Sequence, residues 1–260
     1  MALTSQPFLS PYALPMAWQN TPMPGRAFPT GLKEALAAPA LAMAATFLAF
    51  GAAVREAGLE LGWTLGAAWL VYGMPGQLVL LQFAAPGAVG GGVLAAVAAA
   101  SAANARFLPM AVALTPWLGQ RRRWWALPFI AITPWAAAMR RLPVLPSPQR
   151  LPWFLGFGLA SWLVAGGAAA LGHSLAPWLG GQLRLALLFT NPLYFALLMT
   201  LDLSQPSRGR LARLSVLGGA LAAPVALLLP PAWALLGAGL LGGSAAFALE
   251  AWLKARHGRG

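Results

Sequence analysis

The arrangement of apolar residues constrains this chain more than any other feature of its sequence. Eight apolar segments follow one another from residue 33 onward, and the short stretches between them hold almost all of the charged residues. The segments cover residues 34–54, 62–84, 88–117, 125–139, 152–172, 184–203, 214–229 and 233–253. A helix needs about 20 apolar residues to cross a bilayer, and no segment alternates with the period of two typical of a strand. The pattern predicts an all-α integral membrane protein, a bundle of six to eight hydrophobic helices, several of them broken at Pro or Gly.

The composition excludes the main alternatives. Charged residues make up 8% of the chain, against about 25% in soluble domains, so a soluble protein of this composition would lack polar surface. The hydrophobic fraction of 59% excludes a disordered chain, and the absence of cysteine excludes a disulfide-stapled one. The net charge is +12, but the basic residues lie in clusters between apolar segments, which is typical of membrane-helix ends. We therefore expect lipid, and no nucleic acid, around this protein.

The sequence divides into three regions. Residues 1–32 contain six prolines and no continuous apolar run, so we interpret them as an N-terminal tail rather than a signal peptide. Residues 33–254 form the predicted multi-pass transport domain, and residues 255–260 form a short basic C-terminal tail.

Two topologies fit the order of the segments. If all eight segments cross the membrane, the Arg121–Arg123 cluster lies on the side opposite the other basic clusters. If segments 62–84 and 125–139 are re-entrant, that cluster joins the others, and only Arg55 and Arg184 remain on the far side. The positive-inside rule favours the second topology. Both place both termini in the cytoplasm of a bacterial cell, with the chain in the inner membrane.

One local break stands out within the second segment, in the sequence Tyr72-Gly73-Met74-Pro75-Gly76-Gln77. Proline removes a main-chain donor, and glycine on either side lets the helix unwind. A half-helix starting near Gly76 would present free N–H groups and a positive dipole end, which suit a carboxylate. The alternative is a kink that only relieves packing.

A second feature is Arg106, which lies alone inside the long apolar segment 88–117. A charge at mid-bilayer depth costs at least about 2.5 kcal/mol, so a substrate carboxylate, freed carbonyls or water should compensate it. The alternative is that Arg106 ends a short helix and snorkels to the interface. Asn104 would face the same cavity only if the helix is broken between the two residues.

Two further proline breaks carry polar neighbours, Thr133-Pro134-Trp135 and Thr190-Asn191-Pro192. Each is interpreted either as cavity lining or as simple kink chemistry. Enzyme chemistry finds little support, because we place His173 in a loop and His257 in the tail, and the acids near the segments stand at segment ends. We expect no enzyme activity, no metal site and no cofactor.

The residues around these breaks resemble those of a known family. The chain is similar to the AzlC (azaleucine-resistance) family, the large subunit of branched-chain amino-acid exporters. The resemblance runs over about residues 31–250, through Gly31-Leu32-Lys33-Glu34-Ala35, the Tyr72–Gln77 motif, Asn104-Ala105-Arg106-Phe107-Leu108, Leu114-Thr115-Pro116, the Thr133 motif and Leu188-Phe189. It implies a transporter of branched-chain amino acids, in some cases of methionine, that works with a small, AzlD-like membrane subunit.

The chain departs from the pattern of that family at informative positions. The family usually has Thr-Asp-Glu where this chain has Thr133-Pro134-Trp135, and a histidine where it has Phe107. Without those acids, the ammonium group of an amino acid would need carbonyls freed at proline breaks. We therefore keep an amine-free carboxylate as an alternative substrate, and we expect weak coupling to protons.

Together these observations predict an exporter of small apolar amino acids or related carboxylates. Arg106 would receive the carboxylate, and the half-helix start shaped by Gly73, Pro75 and Gly76 would assist. Gln77, Asn104, Thr133 and Asn191 would supply further polar contacts. The rival hypothesis is a divergent membrane partner of another complex that transports nothing.

Overall fold

The computed structural model describes residues 26–86, 92–119, 123–204, 209–229 and 231–257. The helices of this part are α1 (Ala27–Ala35), α2 (Ala38–Glu56), α3 (Leu61–Gly66), α4 (Met74–Ala84), α5 (Gly92–Asn104), α6 (Phe107–Leu118), α7 (Ile132–Arg141), α8 (Ser147–Leu175), α9 (Gly181–Leu203), α10 (Gly209–Leu228) and α11 (Pro231–His257). A π-helical turn, Ala67–Val71, extends α3, and 3-10 turns cover Arg123–Phe129, Leu142–Val144 and Ala176–Trp178. The all-α prediction is confirmed for the described residues, which contain no strand.

Prolines that the sequence places inside apolar segments often mark helix starts instead. Pro39 and Pro75 stand in the first two positions of α2 and α4, and Pro134 stands in the first turn of α7. The first N–H groups of a helix have no partner within it, so proline costs nothing there and its fixed φ favours the helix. By contrast, Pro192 and Pro224 lie inside α9 and α10.

Ion pairs identify the two ends of the bundle. At one end, which we call the Glu34 end, Arg141 contacts Glu34 at 3.1 Å and Arg140 pairs with Asp202. At the other, the Glu56 end, Arg184 pairs with Glu56. α2 and α8 both run from the Glu34 end to the Glu56 end, and α9 returns. Gly51 and Gly172 let α2 and α8 pack closely, because a Cβ at either position would overlap the backbone of the other helix.

Two helix pairs enter the bundle from opposite ends and turn back at its middle. α3 with its π-helical turn enters from the Glu56 end, and α4 returns, since Ala84 lies beside Trp63 and Gly66. The Arg123–Phe129 turn enters from the Glu34 end, and α7 returns to it. Their tips meet at the middle of α2. Segments 62–84 and 125–139 therefore turn back within the bundle, as the second predicted topology requires, and whether they are re-entrant in a membrane stays a prediction.

α5 and α6 form a bent pair with an angle of 45° between them. α5 runs beside α4 from the Glu56 end to the middle of the bundle, and α6 continues to the Glu34 end, where Trp117 lies under the guanidinium of Arg150 at 5.1 Å. Among the described residues, three helices are long and apolar enough to span a membrane, or four if this pair is one span. The predicted number of six to eight is not established by that part of the chain.

Candidate functional site

The predicted break around Gly73 is confirmed. Tyr72 adopts a left-handed backbone conformation with φ of 44°, Gly73 is extended, and α4 begins at Met74, two residues before the start expected near Gly76. A Cβ at Gly73 would lie 2.5 Å from Asn104 Oδ1 and 2.8 Å from the Phe107 ring, so both side chains would have to shift. The glycine therefore lets the tip of the α3–α4 pair approach the break between α5 and α6.

A cavity of about 510 Å³ lies at the meeting point of these tips. α2 and α9 form two of its walls, and the starts of three other helices form the rest. The lining residues are Met43, Thr46, Phe47, Tyr72, Gly73, Met74, Pro75, Leu78, Arg106, Phe107, Ala131, Ile132, Thr133, Leu188, Pro192 and Phe195. This volume falls in the range typical of small-molecule sites.

The helices α4, α6 and α7 all begin at this cavity. Their earliest described backbone bonds include Gln77 N–H to the Gly73 carbonyl and Trp135 N–H to the Ala131 carbonyl, both at 2.9 Å. The N–H groups that precede those bonds, such as those of Met74 and Thr133, have no partner within their helices. The positive ends of the α4 and α7 dipoles therefore point toward one space, an arrangement that favours an anion. At the start of α6, the Leu108 N–H is bonded to the Ala105 carbonyl at 3.1 Å.

Arg106 occupies the break between α5 and α6 and lines the same cavity. Its guanidinium lies 5.5 Å from the centre of the Phe107 ring, and its Nε is buried without a hydrogen-bond partner among the described residues. It lies level with the middle of α2, since Phe47 lines the same space. No acidic side chain occurs among the described lining residues, so this arginine has no carboxylate partner there.

Two hydroxyl-bearing residues at the cavity are also buried. The Tyr72 side chain is 5% exposed, and its hydroxyl has no partner among the residues that the structure describes. Thr133, at 4% exposure, stands in the first turn of α7. A hydroxyl can donate or accept a hydrogen bond, so both residues suit a ligand that carries oxygen atoms.

The structure brings together only some of the predicted site residues. Gly73, Pro75, Arg106 and Thr133 line the cavity. Gln77 does not, because it is fully buried and its Nε2 donates to the Ala67 carbonyl at 2.9 Å.

Three other predicted site residues, Asn104, Gly76 and Asn191, are not among the described lining residues of the cavity. Asn104 lies against Gly73 and Gly76 behind the cavity wall, and its Oδ1 is buried with no partner in the described part of the chain. The side chain of Asn191 lies outside the described residues, although its neighbour Pro192 lines the cavity.

His173 is not in a loop as predicted, since it belongs to the last turn of α8 and contacts the Leu59 carbonyl at 3.0 Å.

Sequence reasoning missed the apolar wall of the cavity. Phe47 comes from the middle of α2, and Leu188 and Phe195 come from α9. These residues look like any other lipid-facing or core residue in an apolar segment, and only the tertiary arrangement selects them. Tyr72 offered a weak signal, because it precedes the first glycine of the break.

Comparison with known protein families identifies the chain. The family model described as AzlC protein matches residues 39–179, which contain α2 through α8 and the 3-10 turn after α8. The chain belongs to the AzlC family. Every cavity wall except that of α9 lies inside the matched range, which is shorter than the resemblance seen in the sequence. The search of curated proteins and the search of solved structures both returned no match.

Proposed function

We propose that this AzlC-family protein is a membrane transporter that exports small apolar amino acids or related carboxylates. The observation that carries the proposal is the position of Arg106. It is a half-buried cation at the middle of the bundle, with its Nε fully enclosed, beside three helix starts and without an acid among the described residues of its cavity. A cation in this position is stabilised by a counter-anion. With no acidic side chain among the described lining residues, a transported carboxylate can take that place when it binds.

The lining of the cavity suits each part of the proposed substrate. The carboxylate binds to Arg106 and to the free N–H groups at the starts of α4 and α7. The aliphatic side chain packs between Phe47, Leu78 and Phe195, which offer only apolar surface. The tip of the α3–α4 pair and the tip before α7 meet at the proposed substrate site. Movement of one tip away from the other would open the site to one side of the membrane, as alternating access requires.

The distribution of charges supports an orientation, and membership of the family supports a partner. Among the described basic residues, Lys33, Arg140, Arg141 and Arg150 lie at the Glu34 end, whereas Arg55 and Arg184 lie at the Glu56 end. The positive-inside rule places the Glu34 end, with both termini, in the cytoplasm of a bacterial inner membrane. We propose that a small, AzlD-like membrane subunit completes the transporter.

The experiment that tests this function is efflux of labelled leucine, valine and methionine from preloaded cells that lack their own exporters. The cells express this chain with and without a candidate small subunit. Efflux should appear with the native chain, disappear with Arg106→Gln and persist with Arg55→Gln, an exposed arginine at the Glu56 end. If inserted native protein exports none of the three, amino-acid export is wrong, and export of an amine-free carboxylate and the non-transporting partner become the hypotheses to compare.

A further inference from the structure

The charges around the cavity bear on what kind of carboxylate it takes. Arg106 is the one charged side chain among the described lining residues. Burial of an uncompensated charge is expensive, whereas burial of a paired charge is much less so. A ligand with a net charge of −1 neutralises the site, but a zwitterionic amino acid brings a second cation into the same 510 Å³.

The backbone around the cavity adds to this preference. At the tip of the α3–α4 pair, residues on the helix-start side, Gly73 to Pro75, line the cavity. Residues on the helix-end side, Ala67 and Val71, line a different space, and of the described residues on that side only the capping residue Tyr72 lines this cavity. α5 also ends beside the cavity, at the break that Arg106 occupies. The starts of α4 and α7 add N–H groups without helical partners, and these favour a carboxylate over an ammonium group.

An ammonium group would also find no charged acceptor among the described lining residues. It carries three N–H donors. Among the described walls, the acceptors are neutral: the carbonyl of Leu188, freed by Pro192 in α9, and the hydroxyls of the lining residues Thr46, Tyr72 and Thr133. The aromatic face nearest the helix starts, Phe107, is occupied by the Arg106 guanidinium.

We infer that the site selects a small aliphatic monocarboxylate without an amino group over the corresponding amino acid. This inference rests on the proposed function and narrows its substrate class. Arg106 pairs with the carboxylate, and the buried Tyr72 hydroxyl, which has no partner among the described residues, donates to an oxygen of the ligand. A 2-oxo acid offers that oxygen at the carbon where an amino acid carries its ammonium group.

The test is calorimetric binding to the purified full chain, together with any small subunit that efflux requires. The probes share one isobutyl side chain: 2-oxo-4-methylpentanoate, leucine, and 3-methylbutylamine, which lacks the carboxylate. The oxo acid should bind at least about tenfold more tightly than leucine, since an ammonium group removed from water without a carboxylate partner is penalised, and the amine should not bind. Arg106→Gln should abolish binding of the oxo acid, Tyr72→Phe should weaken it severalfold, and Arg55→Gln should leave it unchanged.

The outcomes separate this inference from the proposed function. If leucine binds as tightly as the oxo acid or more tightly, and Arg106→Gln abolishes that binding, the inference is overturned and the proposed function stands. If neither carboxylate binds to protein that unfolds cooperatively on heating, both are overturned. If Tyr72→Phe binds the oxo acid like the native chain, the role of the hydroxyl is wrong.

Discussion

Trp69 and Trp162 each donate an indole N–H to the main-chain carbonyl of the other, at 3.1 and 3.0 Å. Their rings stack with centres 5.1 Å apart, and Gly166 leaves room for the Trp69 ring against α8. Trp69 lies in the π-helical turn that precedes the break at Tyr72. This pair therefore fixes the entering arm of the α3–α4 pair on the longest helix of the bundle.

Replacement of either tryptophan should destabilise the fold. Trp69→Phe keeps a stacked ring but removes one hydrogen bond, and we expect it to lower the free energy of unfolding by about 1–3 kcal/mol because a buried carbonyl loses its donor. Thermal unfolding in detergent measures the change. Trp178→Phe, at a side chain that is 83% exposed, is the matched control and should change stability by less than about 0.5 kcal/mol. Equal effects of the two changes would contradict the structure.

Gly76 makes a second prediction, about the contact between the two broken helices. A Cβ at Gly76 would overlap the Asn104 carboxamide. We expect Gly76→Ala to destabilise the protein by about 1–3 kcal/mol, as overpacking does in tight cores. Thermal unfolding and efflux both report the change.

Two variants test the cause of that effect. Gly66→Ala adds a Cβ in α3 where the described structure has no atom within 4 Å, and it should be neutral or stabilising by up to about 1 kcal/mol because alanine favours the helix. Asn104→Ala combined with Gly76→Ala should recover most of the lost stability, since the two sites are in contact and their effects are not additive. A double variant as unstable as Gly76→Ala alone would show that the carboxamide is not the obstacle.

The re-entrant geometry makes a third prediction, about membrane sidedness. The chain has no cysteine, so each introduced cysteine is the only thiol. Gly62→Cys and Pro86→Cys should react with an impermeant thiol reagent from the same side of the membrane. Trp124→Cys and Ser147→Cys should both react from the opposite side. If Gly62→Cys and Pro86→Cys react from opposite sides, the α3–α4 pair crosses the membrane and the topology is wrong.

Local chemistry in the sequence predicted the breaks but not what they form together. Gly73 and Pro75 predict a break in the helix, because glycine lets the backbone leave the helical conformation and proline has no N–H to donate to the preceding turn. The isolated position of Arg106 in an apolar segment predicts a charge inside the bundle. That α4, α6 and α7 all begin at one cavity depends on contacts between residues far apart in sequence, which the pattern of a single segment does not contain.

The sequence also did not predict the direction in which the polar side chains point. Gln77 and Asn104 stand beside the breaks, and the sequence treats them as ligands. In the structure, Gln77 donates to the Ala67 carbonyl, which also accepts the Tyr72 N–H, and Asn104 fills the space opposite Gly76. A polar residue next to a helix break serves either the break itself or a ligand, and only the rotation of the helix decides between them.

The central claim is that a carboxylate binds at Arg106 inside this cavity, and substrate protection of a cysteine tests it most directly. Leu188→Cys places a single thiol in the α9 wall of the cavity. Leucine or 2-oxo-4-methylpentanoate, whichever the chain binds, should slow the reaction of this thiol severalfold. The protection should persist with Arg55→Gln and vanish with Arg106→Gln. Equal protection in Leu188→Cys with and without Arg106→Gln would contradict the account, because the ligand would then bind without the arginine.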